Sequence, residues 1–290
     1  PNVRFFGNVS LGRDVSVADL RAHYHGIIYT VGAESFRKIG LPGQECRQVR
    51  SATEFVFWYN GHPQYCDRSF SLDNVRRVAI VGVGNVAIDV TRILAQDRDV
   101  LAATDISTTA LEALRAAPIE EIILMGRRGP AQAAFSPKEI KELSELPDVD
   151  MVIEEADAHI DAVSAAWLDD APKTAAQNVA LIEEIAARPP TGAACRIRCL
   201  FRVSPTGFPL DAEGRMTGMT VVRNRLEEAP GRPRPVATDE TWTEDVQLVL
   251  TAIGYRGVPI EGVPFDERRG TIPNVDGRVM DGDTALAGVY

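Results

Sequence analysis

The sequence has little cysteine, no long hydrophobic run and no excess of positive charge, and each of these absences excludes a class of protein. Its 290 residues contain only Cys46, Cys66, Cys195 and Cys199, too few for a disulfide-stabilised secreted scaffold, so we expect free thiols. No apolar run approaches the roughly 20 residues of a membrane-spanning helix, which argues against membrane insertion. The net charge of −10, from 31 basic and 41 acidic residues, argues against a nucleic-acid partner.

The rest of the composition, with 45% hydrophobic and 25% charged residues, is typical of a soluble globular protein. At about 100 to 200 residues per domain, the length predicts two domains. The chain begins with proline and ends in the apolar run ALAGVY. We therefore expect both native termini to lie outside it, and the absence of a targeting peptide carries no information.

The first half of the chain alternates between strand and helix patterns. The predicted elements are a strand at 77–82, a helix at 86–96, a helix at 108–116, a strand at 119–126, a helix at 137–146 and a strand at 150–153. Such an alternation predicts an α/β fold in which a parallel sheet carries helices on its faces.

The second half has a different pattern. After a predicted helix near 174–187, the segments CRIRCLFRV (195–203) and GMTVVRNRLE (218–227) alternate apolar and polar residues, which predicts an antiparallel meander. The run at 245–257 predicts a buried strand ending in glycine, and IIYTVGA at 27–33 predicts another. If the chain begins and ends in one domain, the module at 72–257 is inserted into it.

The clearest motif lies in VAIVGVGNVAIDVTRILAQ (78–96), where a strand runs through a glycine turn into a helix. Gly82, Gly84 and Ala87 satisfy the pattern G-x-G-x-x-A. In that pattern the first glycine makes the tight turn, the second lets a pyrophosphate approach the backbone, and the small third residue packs helix on strand. The motif predicts a dinucleotide at the helix start, where Asn85 is equally plausible as an N-cap and as a ligand contact.

The residues after the second strand decide between NAD and NADP. An NAD site has an acidic residue about 20 positions after the turn, and that count falls on Asp105. However, we interpret 97–117 as an insertion, so that the second strand ends at Gly126 and is followed by Arg127 and Arg128. Two arginines favour the 2′-phosphate of NADP(H), and the alternative is a solvated basic pair.

These segments together resemble a known family. VGVGNVAIDVTRIL, MGRRGPAQAAFSPKEIKEL, LTAIGYRG and GTIPNVDGRVMDG, in this order, are similar to the adrenodoxin reductase type of ferredoxin-NADP reductase. Upstream, GNVSLGRDVSVADLRAHYHGIIYTVGAE and FVFWYNGHP extend the similarity. The resemblance implies a Rossmann-like NADP-binding domain (72–257) inserted into a truncated FAD-binding domain (1–71 and 258–290). It also implies that the FAD glycine turn and the closing segment lie outside this chain.

The resemblance assigns roles to individual residues. It implies that the pyrophosphate side of NADP meets Val83, Gly84, Asn85 and Val86, that the 2′-phosphate meets Arg127 and Arg128, that Glu139 touches the cofactor, that Glu142 lies near the nicotinamide and that Val9 lies against the adenosine part of FAD. Glu139 and Glu142 are three positions apart and share one helix face. Glu142 is also consistent with a solvated acidic residue favoured by the helix dipole, and this alternative stays open.

The implied activity is that of a ferredoxin-NADP(+) reductase. Hydride passes from NADPH to FAD, and single electrons then pass to a ferredoxin or a similar small iron–sulfur protein. The flavin carries this chemistry, so we expect no nucleophile, catalytic triad or metal site. Cys195 and Cys199 are four apart and do not form a C-x-x-C pair, which weighs against thioredoxin-reductase chemistry.

Two alternatives remain at this point. One is a related double-dinucleotide flavin oxidoreductase, such as the small subunit of glutamate synthase. The other is an isolated NADP-binding module without redox activity, since its flavin site would be incomplete. The surface at 169–188 is poor in cations, which makes charge steering of a ferredoxin there doubtful. We expect a bacterial cytoplasmic location, with the mitochondrial matrix as the alternative.

Overall fold

The computed structural model describes residues 2–33 and 35–290, and the chain divides into two compact units. One unit is formed by Pro1–Lys38 together with Gly254–Tyr290, and the other by Ile39–Ile253. The second unit contains the whole glycine motif and also residues 39–71, which the sequence predicts to belong to the first domain. The functional names of the two domains stay predictions.

The strands and helices have the following bounds. The strands are β1 (Ser35–Phe36), β2 (Val49–Ser51), β3 (Arg77–Val81), β4 (Glu121–Gly126), β5 (Val149–Ile153), β6 (Cys195–Phe201), β7 (Val203–Gly207), β8 (Met219–Glu227), β9 (Arg234–Glu244), β10 (Leu248–Thr251), β11 (Tyr255–Arg256), β12 (Asn274–Val275), β13 (Arg278–Asp281) and β14 (Thr284–Ala285). The helices are α1 (Val17–His23), α2 (Ala52–Tyr59), α3 (Asn85–Ala95), α4 (Arg98–Ala102), α5 (Thr108–Ala116), α6 (Pro137–Ser144), α7 (Glu155–Ala158), α8 (Ala162–Leu168) and α9 (Lys173–Ala186). Pro130–Gln132 forms a short 3-10 helix.

A parallel sheet of strand order β2-β10-β3-β4-β6-β5 forms the centre of the larger unit. Every residue of β4 and β10 is buried, because both faces of the sheet are covered. Val78 and Ile80 pack into a cluster with the helices, whereas Ala79 and Val81 pack with Met219 and other residues of the antiparallel sheet β7-β8-β9. This layering confirms the expected α/β class and explains why the central strands are continuously apolar.

The structure confirms the predicted order from β3 to α9, including the strand β4 that ends immediately before the two arginines. It also adds elements that the sequence did not predict, among them α2, α4 and β9. Among the described residues, no helix is long and apolar enough to cross a membrane.

The predicted meander is wrong at its first strand. Cys195–Phe201 lies between β4 and β5 in the parallel sheet, and the antiparallel sheet is β7-β8-β9. The prediction fails because Arg196 and Arg198 alternate with apolar residues, a pattern that is typical of a strand with one solvent-exposed face. In the structure Arg196 Nη2 lies 2.5 Å from Glu121 Oε1, and Arg198 Nη2 lies 2.5 Å from Glu244 Oε2. Partners distant in sequence therefore hold these charges on a strand inside the sheet.

The predicted buried strand at 27–33 is also wrong. Ile27 forms only an isolated bridge with Val289, and Tyr29 N donates to Tyr290 O at 2.7 Å. Ile28 and Val31 are 73% and 42% exposed. Among the described residues no second strand pairs with this segment, so Ile28 and Val31 stay exposed.

The cysteines are free, as expected, and differ in accessibility. Cys66 is exposed, whereas Cys199 is buried in β6, and burial raises the pKa of the Cys199 thiol to about 12. We therefore expect a disulfide reagent at pH 8 to label Cys66 in the native protein and Cys199 only after unfolding. Mass spectrometry of labelled peptides measures this, with a Cys66→Ser variant as the control. Labelling of Cys199 in the native protein would contradict the burial.

Candidate functional site

The glycine turn lies between β3 and α3, at the carboxyl edge of the parallel sheet. Gly82 has φ 136°, and a Cβ atom there would lie 2.3 Å from the carbonyl oxygen of Ala252. Gly82 N donates to Met125 O at 2.9 Å, and Ala252 N donates to Val81 O at 2.8 Å. The turn is therefore confined between the ends of β4 and β10, where only glycine fits.

The second glycine has a different role. Gly84 is the N-cap of α3 in an extended conformation, and a Cβ atom there would meet nothing within 4 Å. Among the described residues, no side chain caps the helix. The positive end of the helix dipole thus faces open space in front of Gly84, a suitable place for a pyrophosphate. Ala87 is fully buried and lets the helix pack closely on the sheet.

The residues around Gly84 are held by the loop before α6. Ala134 N donates to Val83 O at 2.8 Å, and Ser136 N donates to Asn85 Oδ1 at 2.8 Å. Asn85 is therefore not the cap of α3, and its side chain joins α3 to the start of α6. Its contact with a ligand stays a prediction, as does that of the half-buried Val86.

Arg127 and Arg128 follow β4, the neighbour of β3 in the sheet. Arg127 is exposed, and Arg128 is half-buried with its Nε donating to Pro233 O at 2.7 Å. Burial, and then the charges of Arg127 and Arg232, lower the pKa of Arg128. Within the described residues, none of these three arginines forms an ion pair with a carboxylate. The cluster therefore suits a dianionic phosphate.

A second cluster joins α3 to α6 through Arg92, an arginine that the sequence motifs do not indicate. Arg92 contacts Glu139 directly, Arg92 Nη2 lies 3.7 Å from Glu142 Oε2, and Arg92 Nη1 lies 3.0 Å from Asp89 Oδ1. The two glutamates thus share a cationic partner. The sequence signal that could indicate Arg92 is its seven-residue spacing from Asn85, because two helical turns place both residues on one face of α3.

The structure brings most of the predicted site residues into the larger unit. The turn at 82–86, the arginine pair and the two glutamates all lie within Ile39–Ile253. Val9 lies in the other unit, in a loop, and is 51% exposed. The turn, the uncapped helix and the arginines fit a phosphorylated dinucleotide, whereas the FAD contact of Val9 stays a prediction.

Comparison with known proteins points in the same direction. No protein-family model matches the chain. It is 41% identical over 281 residues to the NADPH-ferredoxin reductase FprA of Mycobacterium leprae, which covers 96% of this chain and 60% of that protein. It is 38% identical over 285 residues to the mitochondrial NADPH:adrenodoxin oxidoreductase of Arabidopsis thaliana, covering 95% of this chain and 58% of that protein.

Solved structures agree with the sequence comparison. Mycobacterium tuberculosis FprA in complex with NADPH matches with a TM-score of 0.86 at 41% identity, covering 95% of this chain and 60% of that one. The chain therefore spans about three fifths of the length of the relatives it matches. The match supports the Rossmann-type α/β fold expected from the glycine motif.

Proposed function

This chain is homologous to the NADPH-ferredoxin and adrenodoxin reductases, and we propose that it is the NADP-binding part of a flavoprotein reductase that passes electrons from NADPH to a ferredoxin. One observation carries the proposal. The glycine turn after β3 leads into a helix without a side-chain cap, and the neighbouring strand β4 ends at two arginines that pair with no carboxylate among the described residues. This arrangement suits both the pyrophosphate and the 2′-phosphate of NADP(H).

The proposed residue roles are those that the family resemblance implies. Gly82 makes the turn, and Val83, Gly84, Asn85 and Val86 bind the pyrophosphate. Arg127 and Arg128 bind the 2′-phosphate. Glu139 contacts the cofactor and Glu142 lies near the nicotinamide, both held by Arg92. Val9 contacts the adenosine part of FAD.

The need for FAD follows from electron counting. NADPH gives up two electrons as a hydride, and a ferredoxin accepts one at a time. A flavin connects the two steps, and the protein supplies binding, orientation and electrostatics. We propose that FAD binds a domain that includes 1–71 and 258–290, into which the NADP-binding domain 72–257 is inserted. The grouping of Pro1–Lys38 with Gly254–Tyr290 in one unit supports this insertion.

The compartment we propose is the bacterial cytoplasm, with the mitochondrial matrix as the alternative. Four free cysteines suit a reducing compartment.

The decisive experiment is NADPH-dependent reduction of cytochrome c by the complete protein, with and without added ferredoxin. We expect visible flavin absorption in the purified protein and a rate that rises with ferredoxin concentration. A flavin-containing protein that no ferredoxin stimulates would contradict the reductase role. A protein that binds NADPH but carries no flavin would instead support the NADP-binding module without redox activity.

A further inference from the structure

The hairpin between β8 and β9 ends in the loop 228–233, which is anchored on both sides of Arg232. On one side, Pro233 O accepts a hydrogen bond from Arg128 Nε at 2.7 Å. On the other, Gly231 O accepts one from Trp167 Nε1 of α8 at 2.8 Å. The loop is therefore held beside the end of β4 by one of the two arginines proposed to bind the 2′-phosphate.

Arg232 differs from the other arginines of its hairpin. Arg225 and Arg234 each lie 2.7 Å from Glu227, so their charges are compensated. Arg232 has no such partner among residues 2–33 and 35–290, and its guanidinium carbon lies 6.0 Å from the centroid of the Trp167 ring. A cation held against an aromatic ring keeps its N–H donors available for an anion.

The hydrogen bond from Arg128 Nε to the carbonyl oxygen of Pro233, the residue after Arg232, brings this charge near the arginine pair. After burial, the charges of Arg127 and Arg232 are the causes that lower the pKa of Arg128. Arg127 and Arg232 thus both repel Arg128, and in the described part of the chain no carboxylate pairs with any of the three. Binding of a dianion among them would relieve this repulsion.

We propose that Arg232, presented by the anchored β8–β9 loop and the Trp167 ring, is a third ligand of the 2′-phosphate of NADP(H). The inference rests on the proposed function, since it names a further residue of the same cofactor site. It assigns part of the cofactor specificity to a hairpin loop about 100 residues after the arginine pair. It also gives Trp167 a positioning role, because the ring and its N–H hold the loop.

The test compares two ligands that differ only in the 2′-phosphate, adenosine 2′,5′-bisphosphate and adenosine 5′-monophosphate, by calorimetric titration of the purified protein. Arg232→Ala is expected to weaken binding of the bisphosphate about tenfold, the size of one charge-assisted contact. Binding of the monophosphate is expected to stay unchanged. The matched control is Arg234→Ala, which removes an equal charge two residues away. Because Arg234 is paired with Glu227, this control is expected to bind both ligands as the unaltered protein does.

The outcomes separate this inference from the proposed function. If the unaltered protein binds the two ligands equally, the NADP assignment itself is wrong. If it prefers the bisphosphate and Arg127→Ala weakens that preference while Arg232→Ala does not, only the role of Arg232 is wrong. Equal losses of bisphosphate affinity in Arg232→Ala and Arg234→Ala would also overturn the role of Arg232, because the loss of one positive charge anywhere on the loop would then account for the effect.

Discussion

Replacing both Arg127 and Arg128 with alanine is expected to remove most of the preference for NADP(H) over NAD(H). Each charge-assisted contact with the 2′-phosphate contributes about 1.5 to 3 kcal/mol, so their joint loss corresponds to roughly a hundredfold to ten-thousandfold in relative affinity. Arg127 is exposed, which favours the lower part of that range. NAD(H) lacks the 2′-phosphate, and its affinity is expected to stay the same.

Titration with NADP+ and NAD+ measures this change. The control is the double variant Arg225→Ala, Arg234→Ala, which removes the same total charge from side chains already paired with Glu227. Because Arg128 Nε also donates to Pro233 O, thermal unfolding of each variant checks that the loop and the fold persist. An unchanged ratio of the two affinities would show that the 2′-phosphate does not bind at this pair.

The features that sequence predicted well are encoded locally. The glycine turn, the apolar strand before it and the amphipathic helix after it occupy one continuous stretch, so periodicity and turn chemistry specify them together. The end of the second strand indicates the arginine pair, and β4 does end at Gly126. Counting positions alone would have led to Asp105, beyond the added helix α4.

The features that sequence missed depend on partners far away in the chain. The charges of β6 are compensated by Glu121 and Glu244, which no local pattern reveals. β10 lies between β2 and β3, so a late strand completes the carboxyl edge beside the turn. Arg92 and Arg232 likewise acquire their surroundings from α6 and α8. The site is thus specified locally at the glycine turn and by tertiary contacts elsewhere.

The two glycines of the turn are expected to respond differently to replacement with alanine, with a loss of stability at Gly82 and a loss of dinucleotide binding at Gly84. At Gly82 the new Cβ would collide with Ala252 O, and an alanine at φ 136° is strained. The combined cost of crowding and strain is about 4 kcal/mol, a large part of the stability of a typical domain. We therefore expect Gly82→Ala to lower the thermal midpoint sharply or to prevent folding of the larger unit.

Gly84→Ala provides the matched comparison, since its Cβ meets no protein atom and its φ of −109° suits alanine. We expect this variant to fold normally and to lose affinity for NADP+ and NAD+ alike, because the methyl group occupies the space where the shared pyrophosphate approaches α3. This equal loss distinguishes the turn from the arginine pair, whose removal affects NADP+ alone. Full binding of both dinucleotides by a folded Gly84→Ala protein would place the pyrophosphate elsewhere, and a Gly82→Ala protein of unchanged stability would contradict the crowding at Ala252.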